Sequence, residues 1–258
     1  MIAMELFDLH GRVAIVTGGN GGIGLGIARG LAQAGADICV AGRNEDKTAG
    51  AVAELQALGV RAIGLRVDVV DEGDVQRMVA DTATALGGVD ILVANAGTTI
   101  RKQPEEYSLA EWHRIVDTNL TGVFACCTAV YPQFKRRGGG KIVSIGSMAS
   151  IFGFDVASVY AATKGGVVQL TRSLAAAWAR DNIQVNCILP GWIDTELTQG
   201  ARRFRPGLHS DVITRTPADR WGDPADLAGA AVFFCSKASD FVTGTALPVD
   251  GGFSSSMF

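Results

Sequence analysis

Disulfide frameworks, metal centres and nucleic-acid surfaces each need residues that this sequence has in short supply. It has 5 cysteines in 258 residues, at Cys39, Cys126, Cys127, Cys187 and Cys235, an odd number with no CxxC pair. That excludes a disulfide scaffold and leaves buried free thiols in a reducing compartment as the expectation. The three histidines, His10, His113 and His209, lie far apart and show no metal-ligand spacing, so no metal is expected. Basic runs are missing and the formal net charge is −3, so nucleic acid is not an expected partner. No apolar stretch approaches the roughly 18 residues of a membrane helix. Met1 to Arg12 carries acids and lacks an apolar signal core. A soluble cytoplasmic protein without membrane partners is expected. Charged residues are only 19% against 48% hydrophobic, which excludes a disordered chain.

Glycine, by contrast, is abundant, with 33 residues and no collagen-like period. Many of these glycines fall where a short apolar run gives way to a helical pattern. Val13–Val16 reads as a strand, Ile23–Ala34 as a helix with Ile23, Ile27, Leu31 and Ala34 on one face, and Gly35 as its stop. Strands follow at Ile38–Ala41, Ala62–Val67, Ile91–Val93, Lys141–Ile145, Ile183–Leu189 and Ala246–Val249. Helices are expected at Glu45–Leu58, Asp71–Leu86, Leu109–Arg136, Tyr160–Arg180 and Pro224–Ser236. Strict alternation predicts a single Rossmann-type, doubly wound α/β domain over residues 1–258: a seven-stranded parallel sheet with helices on both faces. The least regular segment, Trp192–Arg220, reads as a lid or substrate loop.

The turn Thr17-Gly18-Gly19-Asn20-Gly21-Gly22-Ile23-Gly24 joins the first strand to the first helix. Helix N-terminal N–H groups attract a pyrophosphate, and glycines let it approach, so strand-turn-helix context makes this a dinucleotide site. Asp68, after the third strand, is placed to meet an adenine amine, and Asn95-Ala96-Gly97 follows the fourth strand beside the same cofactor. Where NAD enzymes carry a carboxylate for the ribose 2′-hydroxyl, this chain has Gly42 followed by Arg43. A guanidinium suits a 2′-phosphate, so NADP(H) is expected to be preferred, with NAD(H) possible.

Tyr160 and Lys164 are four residues apart at the start of a predicted helix and share a face. A nearby ammonium favours the phenolate, which makes such a tyrosine a usable general acid/base. Ser147 precedes Tyr160 by thirteen residues, and Asn119 lies in the helical stretch before it. With Thr17-Gly18-x-x-x-Gly22-x-Gly24, Asn95-Ala96-Gly97, Pro190-Gly191 and the ending Asp250-Gly251-Gly252, the chain resembles the short-chain dehydrogenase/reductase family from about Leu6 to Gly252. It departs at Ala94, where many members have a second asparagine.

That resemblance implies that Tyr160 exchanges a proton with the carbonyl or alcohol oxygen and that Ser147 hydrogen-bonds it. Lys164 would bind the nicotinamide ribose, and Asn119 would hold a water in a proton relay. Pro190, Gly191 and Ile193 would meet the nicotinamide amide and Thr195 the phosphates. Gly18, Asn20, Gly22, Ile23, Gly24, Arg43, Asp68, Val69, Asn95, Ala96 and Gly97 complete the expected cofactor set. Ser144 and Ser158 have the wrong spacing to replace Ser147 and read as structural hydroxyls.

The stretch Gly97–Lys102, with Glu111-Trp112, resembles sugar-acid dehydrogenases of the family. It implies a polar hydroxy acid or its keto form as substrate, held by Ser147, Tyr160, Trp192 and a bidentate Arg101. Lys102 could add charge, and Arg202, Arg203 and Arg205 on the lid are rival carboxylate binders. A 3-oxoacyl thioester reductase, a broad carbonyl reductase and a non-catalytic dinucleotide sensor are the alternatives. The apolar run Val167, Val168, Leu170, Leu174, Ala175–Ala177 and an edge strand at the C-terminal end suggest a homotetramer.

Overall fold

Short aliphatic runs pair side by side in the computed structural model, which describes residues 5–255; residues 1–4 and 256–258 lie outside the description. The strands are β1 (Val13–Thr17), β2 (Asp37–Gly42), β3 (Ala62–Arg66), β4 (Ile91–Ala94), β5 (Gly140–Ile145), β6 (Ile183–Pro190) and β7 (Ala246–Val249). All pair in parallel, in the order β3-β2-β1-β4-β5-β6-β7. The helices are α1 (Gly22–Gln33), α2 (Glu45–Gln56), α3 (Glu72–Leu86), α4 (Leu109–Val116), α5 (Gly122–Arg137), α6 (Ser158–Trp178), α7 (Glu196–Phe204), α8 (Leu208–Arg215) and α9 (Ala228–Cys235). The expected seven-stranded parallel sheet is therefore present.

Alternation along each strand divides the core in two. On β1, Val13 and Ile15 join the cluster made with α3, α5 and α6, while Ala14 and Val16 join the one made with α1, α2 and α9. Both faces of the central strands are buried, which is why they read as continuous apolar runs. All five cysteines are free and buried in these clusters, and burial pushes the Cys39 thiol up to about 12 and Cys187 to about 11. No helix among the described residues is long and apolar enough to cross a membrane.

Two segments differ from the sequence expectation. The helical stretch expected at Leu109–Arg136 is interrupted by a π-turn at Asp117–Thr121. Asn119, in that turn, is fully buried and bonded to Thr98 and Thr163, so the helix widens to bring its side chain inward. The lid at Trp192–Arg220 is not loop throughout but contains α7 and α8. Thr195 caps the first of these helices, and Gly207, at φ 89°, turns the chain into the second. Their own core is small: Ala201, Leu208 and Val212, with Trp192 and Trp221 packed against it.

The connections run outward from β1 to β2 and β3, then return so that β4 lies on the other side of β1. At such a reversal the loops leaving two neighbouring strands diverge and leave a crevice at their C-terminal ends.

Candidate active site

One elongated cavity of about 860 Å³ opens at that crevice. The glycine-rich turn forms its floor, and hydrogen bonds across the sheet hold the turn in place. Asn95 Nδ2 donates to the carbonyls of Thr17 (2.9 Å) and Gly18 (3.1 Å), while Thr17 Oγ1 accepts from the N–H groups of Asn95 and Ala96. Gly18 has φ 62°, and a Cβ on Gly24 would lie 2.2 Å from the Gly18 carbonyl oxygen, so neither position admits a side chain without rearrangement. Gly18, Asn20, Gly22, Ile23, Asp68, Val69, Asn95, Ala96 and Gly97 all line the cavity. Gly24 does not line it; it packs beneath the turn. Arg43 lies exposed at the mouth, with no ion pair among the described residues. A Cβ on Gly42 would lie 2.4 Å from Asn20 Nδ2, because the Asn20 amide crosses that position to reach Thr48. A side chain at the place where NAD enzymes present an acid would have to displace the Asn20 amide.

Next along the cavity, Tyr160 and Lys164 project from the first turns of α6. Lys164 is buried, and its Nζ donates to the Ile145 carbonyl at 2.7 Å and lies 5.6 Å from the centre of the Tyr160 ring. Burial lowers the Lys164 pKa to about 8. Burial raises that of Tyr160, against the smaller pulls of the Ser147 hydroxyl and the Arg101 charge. Ser147 ends the β5 loop, where its Oγ accepts from the Ala149 N–H at 3.1 Å. The turn is fastened to α6 by Ser150 Oγ, which donates to the Lys164 carbonyl at 2.8 Å. Asn119 meets this group from behind. Its Oδ1 accepts from Thr98 N–H and its Nδ2 donates to the Thr98 carbonyl, at 2.8 and 2.9 Å, and Gly97 lies next to both Asn119 and Lys164. Ser144 and Ser158 stay outside the cavity.

Pro190, Gly191, Trp192, Ile193 and Thr195 line the roof, where β6 passes into the lid. A Cβ on Gly191 would come 2.7 Å from Asp250 Cα, so the strand can pass there only as glycine. Thr195 sits against Gly22, and just beyond it Lys47 Nζ reaches both carboxylate oxygens of Glu196 at 2.7 Å, joining the lid to the cofactor wall.

At the substrate end, Arg101 enters the cavity, its Nη2 donating to the Leu197 carbonyl at 3.3 Å. Lys102 does not line it, being paired with Glu111 at 2.7 Å, which holds that carboxyl down at about 2. The rival lid arginines are likewise outside: Arg202 is bound to Asp194 and stacked on Trp221, Arg205 is bound to Asp211, and Arg203, without an acid partner among the described residues, does not line the cavity. Trp192 packs between Phe154 and Trp221 along the wall. Phe152, Phe253 and Arg215 also face the cavity. Sequence reasoning missed these three, since no spacing marks them and only the fold brings the two ends of the chain together.

A glycine cradle at a parallel-sheet crevice, followed by a hydroxyl-tyrosine-lysine group, defines a dinucleotide-dependent oxidoreductase. Comparison with known proteins narrows this. The family model described as enoyl-(acyl carrier protein) reductase matches residues 18–254. The chain is 42% identical over 252 residues to the 2-dehydro-3-deoxy-D-gluconate 5-dehydrogenase of Formosa agariphila, covering 97% of this chain and 96% of that protein. It is 41% identical over 254 residues to the gluconate 5-dehydrogenase of Gluconobacter oxydans, covering 98% of each. The crystal structure of a gluconate 5-dehydrogenase from Burkholderia cenocepacia in complex with NADP and tartrate matches with TM-score 0.94 and 41% identity, over 99% of this chain and 100% of that one. The chain belongs to the short-chain dehydrogenase/reductase family.

Carbonyl reduction consumes a phenol proton, and alcohol oxidation needs the phenolate. Because burial raises the Tyr160 pKa, reduction should have its donor in place at neutral pH and lose it as pH rises, whereas oxidation should quicken toward alkaline pH. Tyr160→Phe keeps the ring and should cut turnover at least ~100-fold in both directions, with the melting temperature preserved. A near-normal rate in that variant would place the proton donor elsewhere.

Proposed function

We propose that this protein is an NADP(H)-dependent oxidoreductase that moves a hydride between the nicotinamide and a secondary alcohol or ketone of a sugar acid. The observation that carries the reading is the position of Arg101, a guanidinium that lines the cavity near Tyr160, while Lys102, Arg202 and Arg205 are bound to acids and Arg203 stays outside the cavity. The names of the sugar-acid relatives support the same substrate class, and the tartrate in the Burkholderia structure is itself a hydroxy acid. A thioester reductase is the second reading, favoured by the description of the matching family model. The full-length sugar-acid relatives, at about two residues in five identical, weigh more.

In this reading the cofactor supplies the hydride, and the chain supplies position and charge. Tyr160 gives or takes the proton at the substrate oxygen, and Ser147 donates a hydrogen bond to the same oxygen as charge develops there. Lys164 holds the nicotinamide ribose and favours the phenolate once its ammonium is engaged. Gly18, Asn20, Gly22, Ile23 and Thr195 surround the pyrophosphate, with Gly24 beneath the turn. Asp68 and Val69 border the adenine, and Asn95, Ala96, Gly97, Pro190, Gly191 and Ile193 the nicotinamide half. Resemblance ties Asn119 to a relay water. Its side-chain amide, bonded to Thr98 and Thr163, also fixes the Gly97-Thr98 backbone. Arg101 and Trp192 hold the substrate. Five buried free thiols fit a reducing cytoplasm.

A homotetramer is part of the proposal, on altered grounds. Val167, Val168, Leu174 and Ala175 are buried in the chain's own core, Leu170 is half-buried, and only the small side chains of Ala176 and Ala177 stay exposed on that run. Larger exposed apolar side chains include Leu109, 76% exposed, and Trp112 on α4, Phe124 on α5, and Phe241 ahead of the edge strand β7. Light scattering at micromolar concentration should return about four times the 26.9 kDa chain mass; a single-chain mass would overturn it.

Arg43→Ala removes the guanidinium expected on the 2′-phosphate. It should weaken NADP by roughly 1.5–3 kcal/mol and leave NAD nearly unchanged, read from cofactor titrations. Similar affinity of the unmodified protein for the two cofactors would defeat the preference. For the substrate, Arg101→Ala should raise KM for gluconate-type acids by tenfold or more with little change for neutral ketones. Equal effects on both classes would remove Arg101 from carboxylate binding.

A further inference from the structure

Arg215, the last residue of α8, brings a second guanidinium to the substrate end of the cavity. Its guanidinium carbon stands 4.4 Å from the centre of the Phe253 ring and 5.6 Å from that of Phe152. The two rings meet edge to face, their centroids 6.2 Å apart. A guanidinium laid against aromatic rings is held in position while its in-plane N–H groups stay available to an anion. Of the four other arginines of the same segment, three have acids, Arg202 with Asp194, Arg205 with Asp211 and Arg220 with Asp226, and Arg203 does not line the cavity. Arg215 pairs with no carboxylate among the described residues.

The charge balance of the cavity points the same way. Its lining carboxylates, Glu54, Asp68 and Glu196, are on the cofactor side, and Arg29 and Lys47 already hold Glu54 and Glu196. The substrate end has Arg101 and Arg215 and no lining acid. The two cations come from different walls. Arg101 belongs to the stretch after β4 and touches α7 through the Leu197 carbonyl. Arg215 rests on Phe152, at the end of the turn that carries Ser147, and on Phe253 near the C-terminal end. A substrate with one carboxylate satisfies one of them.

We infer that Arg215 binds a second anionic group, so that the preferred substrates are hydroxy acids with an anion at each end: a carboxylate for Arg101 and a terminal carboxylate or phosphate monoester for Arg215. This rests on the sugar-acid reading and narrows it to dianions.

The test compares NADP reduction with gluconate, with the dicarboxylates glucarate and galactarate, and with 6-phosphogluconate. Each is assayed on the unmodified protein and on Arg215→Ala, Arg215→Lys and Arg101→Ala, with melting temperatures to establish folding. At least one dianion should show a KM tenfold or more below that of gluconate, and the dicarboxylate and phosphate arms identify which group Arg215 takes. Arg215→Ala should raise the KM of that dianion at least tenfold more than the KM of gluconate, and Arg215→Lys, which keeps the charge, should recover part of the loss. If gluconate is oxidised and the dianions have no advantage, or if Arg215→Ala moves every KM by the same factor, the second anion site is wrong and the sugar-acid reading stands. If none of these acids reacts, the sugar-acid reading falls and this inference falls with it.

Discussion

The carbonyl oxygen of Gly18 occupies the space that a side chain on Gly24 would need, and the amide of Asn95 closes on that same carbonyl from the neighbouring strand. This contact ties together three parts of the chain: the end of β1, the start of α1 and the end of β4. It works because β1 and β4 are adjacent although they are far apart in sequence. The reversal of strand order opens the crevice, and the Asn95 clamp sets the shape of its floor. The rest of the site is positioned from there. Asn119 holds the backbone that follows Asn95, and Lys164 reaches back to the end of β5.

Burial sets the electrostatics of the reacting group. An ammonium taken out of water is costly, and one carbonyl oxygen, that of Ile145, offsets only part of the cost, so the Lys164 pKa falls to about 8. Tyr160 moves the opposite way for the same reason, because loss of water disfavours the phenolate. Ribose hydroxyls beside Lys164 would give its ammonium further acceptors and strengthen its hold on the proton. Among the described residues, burial therefore favours the protonated phenol of Tyr160.

The reaction centre was legible in the sequence because local geometry fixes it. Helical spacing puts Tyr160 and Lys164 on one face, strand-turn-helix context places Gly18 to Gly24, and the absence of an acid at Gly42 is visible letter by letter. The π-turn at Asp117–Thr121 was not legible, since it arises from a tertiary demand, the bonding of Asn119 to Thr98, that overrides good helical periodicity. Charge pairing was equally hidden. Lys102 and Arg101 are neighbours in sequence, yet one is neutralised by Glu111 and the other faces the cavity, and only coordinates separate them. Arg215 and Phe253 could not be joined to Phe152 from sequence, because their meeting depends on the lid folding over the C-terminal segment.

The lid is fastened unevenly, and this divides the labour of the site. At its cofactor end it is held by the bridge between Ile193 and Gly222, by Thr195 on Gly22 and by the Lys47–Glu196 pair. Farther out, α7 and α8 bury only Ala201, Leu208 and Val212 with two tryptophans, a core too small to hold them strongly against the body. Hydride transfer tolerates little misplacement, and the residues that govern it lie on β5, α6 and the strand ends, outside this segment. The lid borders the other end of the cavity through Trp192, the Leu197 carbonyl that holds Arg101, and Arg215. A fold with one fixed reaction centre can therefore serve different hydroxy compounds by changes confined to about thirty residues of lid.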